Sequence, residues 1–424
     1  MQKVELLLPA GNIEKLEYAV KYGADAVYLG VVDFSLRAMR KGEIITPDNL
    51  KTAIDIAHKL GTKAYMTLNI FAFNSDIKHL EECMDIIKDA NPDAVLVSDF
   101  GILRLLRKYM PDTDIHVSTQ TNILNYECVK FWQDMGATRV VLARELSIPQ
   151  IAEIKQQVPD MEIECFVHGS QCVSFSGRCL LSDYFTNGER KANSGNCSQP
   201  CRWSYKLVEE TRPGQYYEIN QDDRGSHILS PKDLCLVKYL KDMIDAGVDS
   251  FKVEGRTKSL YYVSAVAKTY RAAIDDILQN PNADMEKYFI ELQKVGNRGY
   301  TTGFALGENK PDSYSYDISK GLAGADFLFE FHGKKKYSDV VFESDASDNL
   351  YFVKVKNKIY LNDEVEDIPP GEQFITKVVE IIDEKGESLD LANTNADVYL
   401  KLSIEPKDYE VALARTVGVK EHVC

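Results

Sequence analysis

A short pattern recurs four times along the 424 residues of this chain and constrains its fold more than any other feature. Each copy opens with a glycine or an asparagine, passes through a polar residue and ends in a short β-branched apolar run. The copies begin at Gly23, Asn91, Gly136 and Gly247, and each follows a stretch with helical periodicity. A helix that ends in a turn and leads into a buried parallel strand has this pattern. The chain is therefore predicted to alternate helices with parallel strands.

Eight strands of this kind are predicted, at residues 4–9, 25–31, 63–70, 93–99, 114–120, 139–145, 162–168 and 248–254. Helices are predicted between and after them, at residues 12–22, 47–60, 75–89, 101–109, 126–135, 147–157, 231–246 and 259–278. Eight alternating units are typical of a TIM-like (β/α)8 barrel, which carries its active site at the C-terminal ends of the strands. An open doubly wound sheet is the alternative, but no glycine-rich phosphate fingerprint follows any of these strands.

The domain boundaries follow from a change of pattern near residue 337. We assign residues 1–280 to the α/β barrel, 281–336 to a connecting segment and 337–424 to a small all-β domain. The last segment alternates apolar and polar residues in strand fashion. Its predicted strands are Val340–Glu343, Leu350–Val355, Gln373–Ile382 and Asp397–Ile404.

The charge of the chain limits where a nucleic acid could bind. The formal net charge is −15, which argues against nucleic-acid binding by bulk electrostatics, since phosphates are neutralised by clustered Lys and Arg. Residues 337–424 carry 19 acidic and 9 basic side chains, whereas residues 171–206 carry five basic and two acidic ones. An RNA partner is therefore expected to approach the 171–206 region and to avoid the acidic domain.

No targeting or membrane segment is recognisable in the sequence. The apolar stretch near Met1 is too short for a signal peptide, and no window approaches 18 uninterrupted apolar residues. We therefore expect a cytoplasmic protein without a membrane partner, in which thiols stay reduced.

A long insertion follows the seventh predicted strand, at residues 169–227, and it holds a cluster of cysteines. Four of the nine cysteines lie within 30 residues in the order Cys-x6-Cys-x17-Cys-x3-Cys, at Cys172, Cys179, Cys197 and Cys201. Four thiolates suit either an iron–sulfur cluster or zinc. Structural zinc usually takes tight Cys-x2-4-Cys pairs, and only the second pair approaches that spacing, so a redox cluster is favoured and zinc is kept as the alternative occupant.

The residues around this cluster resemble a known family. Glu164-Cys-Phe-Val-His-Gly-Ser-Gln-Cys-Val-Ser-Phe-Ser-Gly-Arg-Cys-Leu-Leu-Ser182 is similar to the diagnostic motif of peptidase family U32, the collagenase-like proteins. Further similar segments are Glu5–Asn12, Gly23–Gly30, Asn196–Arg202, Ser230–Cys235 and Phe251–Arg256. The final β domain resembles the family's C-terminal domain, so the resemblance covers essentially the whole chain.

What this resemblance implies is hydroxylation rather than proteolysis. The better understood branches of the family are oxygen-independent hydroxylation factors with a 4Fe-4S cluster, acting on tRNA wobble uridine, a ribosomal RNA cytidine or the ubiquinone ring. The RNA-directed branches depend on prephenate. Length and the C-terminal domain make this chain most similar to the tRNA uridine hydroxylases, which form 5-hydroxyuridine. The resemblance implies tRNA and prephenate as partners, with a paralogous family member as a further candidate, and Cys201 as a fourth ligand that leaves Cys235 unneeded.

Candidate catalytic and substrate-binding residues follow the predicted strands or lie in the insertion. His168, at the end of the seventh strand, is a candidate proton donor or acceptor, although a histidine satisfied by the backbone is an open alternative. The two carboxylates of prephenate would require a bidentate arginine clamp. The candidates are Arg144 and Arg256 as catalytic residues and Arg37, Arg178 and Arg202 as substrate-binding residues. Each of these could equally be a structural ion-pair partner, for example of Glu145 or Glu254.

Two other classes of function remain open at this stage. A peptidase could use Cys172 or Ser170 with His168, although four clustered thiolates are hard to explain as one nucleophile. A non-catalytic RNA-binding or assembly subunit is also compatible with the sequence, as is hydroxylation of another RNA or aromatic ring.

Overall fold

The chain folds into a parallel barrel followed by an antiparallel β-barrel. The computed structural model describes residues 3–32, 34–35, 44–172, 174, 179–187, 189–190, 192, 196–203, 220–222, 225–227, 231–307, 313, 322–341, 349–406 and 410–418. Among these residues, no helix is both long and apolar enough to cross a membrane.

Eight parallel strands close the first barrel, which confirms the predicted TIM-like architecture. They are β1 (Glu5–Ala10), β2 (Ala26–Gly30), β3 (Lys63–Leu68), β4 (Ala94–Val97), β5 (Asp114–Val117), β6 (Arg139–Val141), β7 (Glu162–Gly169) and β11 (Ser250–Val253). Consecutive strands from β1 to β7 are neighbours, and β11 pairs with both β1 and β7 to complete the ring. Glu5 lies opposite Ser250 in this closing register, and Ser250 lies opposite Glu164.

The helices cover the outside of this barrel in the expected alternation. They are α1 (Ile13–Lys21), α2 (Pro47–Lys59), α3 (Asn74–Ala90), α4 (Phe100–Tyr109), α5 (Tyr126–Asp134), α6 (Ile148–Gln157), α7 (Leu181–Phe185), α8 (Leu240–Asp245), α9 (Leu260–Gln279) and α10 (Glu286–Gln293). Of these, α7 lies within the insertion, and α10 packs against α9 after the eighth strand.

The recurrent sequence pattern marks the turn between each helix and its strand. Gly23, Gly136 and Gly247 follow the ends of α1, α5 and α8 with φ of 110°, 82° and 84°. Asn91 takes the corresponding place after α3 with φ of 53°. Because glycine and, less readily, asparagine adopt this left-handed conformation, the pattern terminates each helix and turns the chain into the next buried strand.

The segment around residue 233 differs from its prediction. We expected a helix from residue 231 to 246, but Asp233–Cys235 forms strand β10, which pairs antiparallel with the end of β7. Strand β12 (Tyr300–Thr301) adds to β10, and a separate hairpin of β8 (Asn220–Asp222) and β9 (Gly225–His227) lies in the insertion. The apolar spacing of this segment fits a helix. However, the C-terminal end of β7 extends beyond its barrel partners, and its backbone N–H and C=O groups form hydrogen bonds with β10.

The second domain is a closed antiparallel barrel with strand order β13-β14-β19-β17-β16-β20. Its strands are β13 (Phe327–Lys336), β14 (Asn349–Val355), β16 (Glu364–Asp367), β17 (Phe374–Ile382), β19 (Asp397–Leu402) and β20 (Leu413–Thr416), with the short pair β15 (Ile359–Tyr360) and β18 (Leu391–Ala392) beside it.

The strands of this domain differ from the sequence pattern at two places. Strand β13 begins at Phe327, ten residues before the predicted boundary at 337, and the lysines at 334–336 lie on its exposed end. Residues 340–341, predicted as the start of a strand, form a turn and a bend; residues 342–343 lie outside the described residues. The α10 and β12 elements of the predicted connecting segment belong to the first domain.

The two domains pack against each other through buried polar contacts. Arg415 of β20 is fully buried and donates to Glu366 at 2.8 Å and to Glu291 of α10. The hydroxyl of Tyr22 lies 2.6 Å from the carbonyl of Ile368, and the rings of Tyr261 and Phe327 stack with centroids 5.1 Å apart. The acidic domain is therefore attached to the barrel by specific contacts.

Candidate active site at the barrel mouth

The interior of the parallel barrel is polar, and ion pairs fix its geometry. The guanidinium of Arg139 contacts Glu5 at 2.6 Å and Glu164 at 3.3 Å, and Glu164 also accepts from Lys252 at 2.6 Å. Burial acts to lower the pKa of Arg139, but Glu5 and Glu164 outweigh it and hold the pKa above its ordinary value. Removing one member of such a network leaves an uncompensated buried charge. These pairs therefore form a rigid floor beneath the mouth.

Aromatic rings and cations form the layer above this floor. The ammonium of Lys252 lies 4.5 Å from the ring centroid of Tyr28, and the Cζ of Arg144 lies 3.6 Å from the ring centroid of Phe166. The hydroxyl of Tyr28 donates to the carbonyl of Val253 at 2.9 Å, which fixes the ring. Cations over ring faces are stabilised electrostatically, the more so when desolvated. These contacts hold both cations against aromatic rings of the barrel.

Arg256, which follows β11, lies at the mouth of the barrel and is buried. Its Nη1 donates to the Ser35 hydroxyl at 2.7 Å and to the Thr67 hydroxyl at 3.2 Å, and Nη2 lies 3.5 Å from the carbonyl of Gly30. A Cβ at Gly30 would lie 2.2 Å from Nη2, so only glycine lets the guanidinium approach this closely. These contacts hold the guanidinium of Arg256 at the C-terminal end of the parallel strands, where active sites of this fold lie.

A network of amides and hydroxyls continues from Arg256 around the mouth. The side-chain amide of Asn69 donates to the Ser118 hydroxyl and to Gln120 Oε1, both at 3.3 Å. Ser118 and Ser98 also donate to Gln120 Oε1. We call the set Ser35, Thr67, Asn69, Ser118, Gln120 and Arg256 the mouth cluster. It combines one cation with fixed donors and acceptors, and convergent polar groups of this kind fix the orientation of a small ligand.

His168, the candidate proton donor or acceptor, does not join the mouth cluster. The pairing of β7 with β11 shifts register between Lys252 and Val253, so that Phe166 faces the interior while His168 turns to the outer surface of the barrel. There its ring contacts Tyr262, Tyr270 and Tyr300, with Nδ1 3.3 Å from the Tyr270 hydroxyl. Burial lowers the pKa of His168 to about 3, so the imidazole is neutral at physiological pH.

The cysteine-bearing insertion begins where β7 ends, beside the mouth. Two of its segments, residues 179–187 and 196–203, are joined through serine side chains: the amide of Ser198 donates to the Ser182 hydroxyl at 2.8 Å, and that hydroxyl donates to the carbonyl of Arg190 at 2.6 Å. Because Ser182 follows Cys179 by three residues and Ser198 follows Cys197 directly, this contact brings two of the four cysteines into one part of the loop.

The donor chemistry of these cysteines suits a metal cluster. The amide of Leu181 donates to Cys179 Sγ at 3.4 Å, and the amide of Gln199 donates to Cys197 Sγ at 3.3 Å. Hydrogen bonds to sulfur stabilise thiolate character and tune iron–sulfur centres. Among the described residues, however, no group of three or more His, Cys, Asp or Glu side chains is close enough together to hold a metal ion. The thiols fit such a group in type and in hydrogen bonding, while the described geometry does not gather them.

The other predicted site residues have different outcomes. Arg144 and Arg256 both lie at the mouth end of the barrel. Arg37 and Arg178 lie outside the described residues, as does the side chain of Arg202. The uncharged members of the mouth cluster were not predicted from the sequence. A detectable signal existed, since Asn69 and Ser118 each directly follow the apolar run of a predicted barrel strand, where catalytic residues of this fold lie.

Comparison with known proteins gives consistent results over the whole chain. The sequence model of peptidase family U32 matches residues 11–315, and that of the family's C-terminal domain matches residues 336–414. The "tRNA hydroxylation protein P" of Haemophilus influenzae is 38% identical over 92% of this chain and 91% of its own length. The "tRNA hydroxylation protein P1" of Bacillus subtilis is 36% identical over 98% of this chain and 95% of its own length. The "23S rRNA 5-hydroxycytidine C2501 synthase" of Escherichia coli is 34% identical over 75% of this chain and 47% of its own.

Proposed function

The chain belongs to peptidase family U32, and on that premise we propose that it hydroxylates the wobble uridine of tRNA at C5, with prephenate as co-substrate and a 4Fe-4S cluster as cofactor. The observation that carries the proposal is the near full-length similarity to proteins named for tRNA hydroxylation. The mouth cluster supports it by offering both a cation and fixed amide and hydroxyl groups.

Each part of the mouth cluster has a role in this proposal. A uracil ring presents two carbonyl acceptors and one N–H donor, which the side chains of Asn69, Ser118 and Gln120 can match once the base has been extruded from its stack. The guanidinium of Arg256 would contact a carboxylate of prephenate. Lys252 and the ion pairs below it hold this surface rigid, so that little reorganisation is needed on binding.

Cys172, Cys179, Cys197 and Cys201 would hold the cluster, which supplies electron transfer when bound. The insertion that carries them begins at the C-terminal end of β7, which supports a position for the cluster near the mouth. The protein's own contribution is to bind and orient the two substrates beside that loop.

Peptidase activity is less well supported by the geometry. A nucleophile at Ser170 or Cys172 would require a nearby base, and His168 is the histidine closest to both in sequence. Its ring is enclosed by tyrosines on the outer surface of the barrel, and its lowered pKa makes it a poor proton acceptor.

Mass spectrometry of 5-hydroxyuridine in tRNA provides the direct test. The anaerobically purified protein, incubated with prephenate and unmodified tRNA, is expected to form 5-hydroxyuridine, and omitting prephenate should abolish the product. Arg256→Gln should raise the KM for prephenate, whereas Arg104→Gln, on the exposed face of α4, should leave it unchanged. Proteolysis of casein without any tRNA product would contradict the proposal.

The cofactor is tested separately by colour and metal content. The purified protein should be brown, and Cys197→Ala should abolish its visible absorption. Cys128→Ala is the matched control because Cys128 is also exposed but lies on α5, away from the insertion. A colourless protein with stoichiometric zinc would contradict the iron–sulfur assignment and leave the tRNA assay to decide the activity.

A further inference from the structure

The insertion presents a group of large side chains to solvent beside the cysteines. Tyr184 is 76% exposed, Phe185 43% and Trp203 39%, and the neighbouring Leu180 is 79% exposed. The ring centroids of Tyr184 and Phe185 lie 5.2 Å apart, and those of Phe185 and Trp203 lie 5.9 Å apart. We call these three residues the aromatic platform. Contiguous exposed apolar surface of this kind marks an interaction site.

The aromatic platform is held by hydrogen bonds and does not depend on ring contacts alone. The indole N–H of Trp203 donates to the carbonyl of Ser198 at 3.2 Å, and the amide of Ser198 donates to the Ser182 hydroxyl at 2.8 Å. Ser182 belongs to α7, the helix that carries Tyr184 and Phe185. The same residues thus join the two halves of the platform and place it next to Cys179 and Cys197. A surface that is ordered before binding loses little entropy when a ligand stacks on it.

The charge of this region indicates the chemistry of the partner. Residues 171–206 carry five basic and two acidic side chains within a chain of net charge −15. Arg190 is exposed in the same loop, and its guanidinium lies 3.4 Å from the carbonyl of Cys197. The excess of basic residues in the sequence of this segment favours an anionic partner, and the exposed rings favour one with flat apolar faces. Unpaired nucleotides have both properties, since every base has a π face and every linkage a phosphate.

We propose that the aromatic platform binds unpaired RNA nucleotides by stacking, next to the nucleotide that enters the barrel mouth. The proposal rests on the proposed function in taking tRNA as the natural RNA. When one base is extruded into the mouth, its neighbours lose their stacking partner. Tyr184, Phe185 and Trp203 replace that partner at the rim, so the platform holds the loop of the RNA while the mouth holds the reacting base.

Intrinsic fluorescence gives a direct test, because the chain has two tryptophans and Trp132 is buried. In a Trp132→Phe background, a seven-nucleotide single-stranded RNA should quench the emission of Trp203, and a blunt duplex of equal length should quench it much less. Anisotropy of fluorescein-labelled RNA with both native tryptophans present gives the same affinities if Trp132→Phe fails to fold. No prephenate is added, so binding is measured without turnover.

Substitutions then separate stacking from charge. Tyr184→Ala and Trp203→Ala should each weaken binding of the single strand about 5- to 150-fold, the usual effect of losing one base–aromatic stack. Tyr184→Phe should restore affinity, since it keeps the ring. Tyr360→Ala is the matched control, because Tyr360 is 50% exposed but lies in the acidic β-barrel. It should leave affinity unchanged.

Three outcomes would overturn the inference. In the first, the platform variants bind the single strand with the same affinity as Tyr360→Ala. In the second, the protein binds the duplex as tightly as the single strand. In the third, the platform variants keep their RNA affinity but lose a protein partner. Failure of the proposed function would give a different result. The protein would still bind single-stranded RNA, and the platform variants would still bind it more weakly, but no 5-hydroxyuridine would form in the turnover assay.

Discussion

Asp367 at the junction of the two domains should make the stability of the protein fall as pH rises. The side chain is fully buried at the end of β16, and neither carboxylate oxygen has a hydrogen-bond partner among the described residues. Burial raises the pKa of Asp367 from 3.8 to about 7, and Lys268 offsets only part of this effect. Lys268 is itself held at the junction, where it donates to the carbonyl of Pro369 at 2.8 Å and burial lowers its pKa to about 8.

The magnitude follows from the difference between the folded and unfolded pKa of this carboxyl. The folded state keeps the proton to higher pH than the unfolded state, so ionisation of Asp367 costs stability progressively from about pH 4 upward, and the cost is complete above the folded pKa near 7. With a difference of about three pKa units, ionisation of Asp367 lowers the free energy of unfolding by about 2 kcal/mol at pH 5.5 and by about 4 kcal/mol at pH 8.5.

The perturbation is Asp367→Asn, which keeps the shape and removes the charge. The free energy of unfolding, measured by urea titration with circular dichroism and checked by calorimetry, should rise relative to the wild type. This gain should widen by about 2 kcal/mol between pH 5.5 and pH 8.5. Asp397→Asn, at an exposed aspartate on β19 of the same β-barrel, is the control and should not reproduce the widening. A gain that is constant with pH, or that narrows toward pH 8.5, would refute the reasoning.

Three further predictions test the barrel. Glu164→Gln should lower the free energy of unfolding by about 3–5 kcal/mol, because Lys252 loses its buried counter-charge; thermal unfolding measures this, and a change below 1 kcal/mol would contradict it. Gly169→Ala should destabilise the protein more than Gly61→Ala in the same assay. Both glycines have positive φ, but only at Gly169 would a Cβ lie 2.2 Å from a backbone oxygen, that of Glu254. Equal losses of stability in the two variants would contradict the steric argument. The ring signals of His168 in NMR should not titrate between pH 5 and 8, because its pKa lies near 3, and a midpoint near 6.5 would show that the ring is hydrated.

Local sequence patterns are sufficient to predict the alternating helices and strands of the barrel. They do not predict strand β10, which depends on pairing with a distant part of the chain. The left-handed residues Gly23, Gly136 and Gly247 each lie between the end of a helix and the start of a barrel strand, so the alternation is visible in the sequence. Strand β10 is not visible, because its residues have helical spacing and pair only with the extended end of β7.

The residues of the candidate site also divide into those visible in the local sequence and those whose position depends on distant pairing. Arg144 and Arg256 could be predicted because charged residues at strand ends are readable from the strand pattern alone. The outward position of His168 could not, because it depends on a register shift against β11, more than 80 residues further along the chain. The uncharged mouth residues were overlooked for a different reason: serine, threonine and asparagine after a strand are common, and only closure of the barrel brings them together with Arg256.

The closure of the barrel between β1 and β11 sets an order of events during synthesis. Glu5 leaves the ribosome long before Ser250, its partner in the closing register. At about 5–20 residues per second, β1 waits roughly 12 to 50 s for that partner. During this interval β7 and the whole cysteine insertion have already been made, while the gap that β11 will fill is still open. The insertion is thus synthesised in full on a nascent chain whose barrel is one strand short of completion.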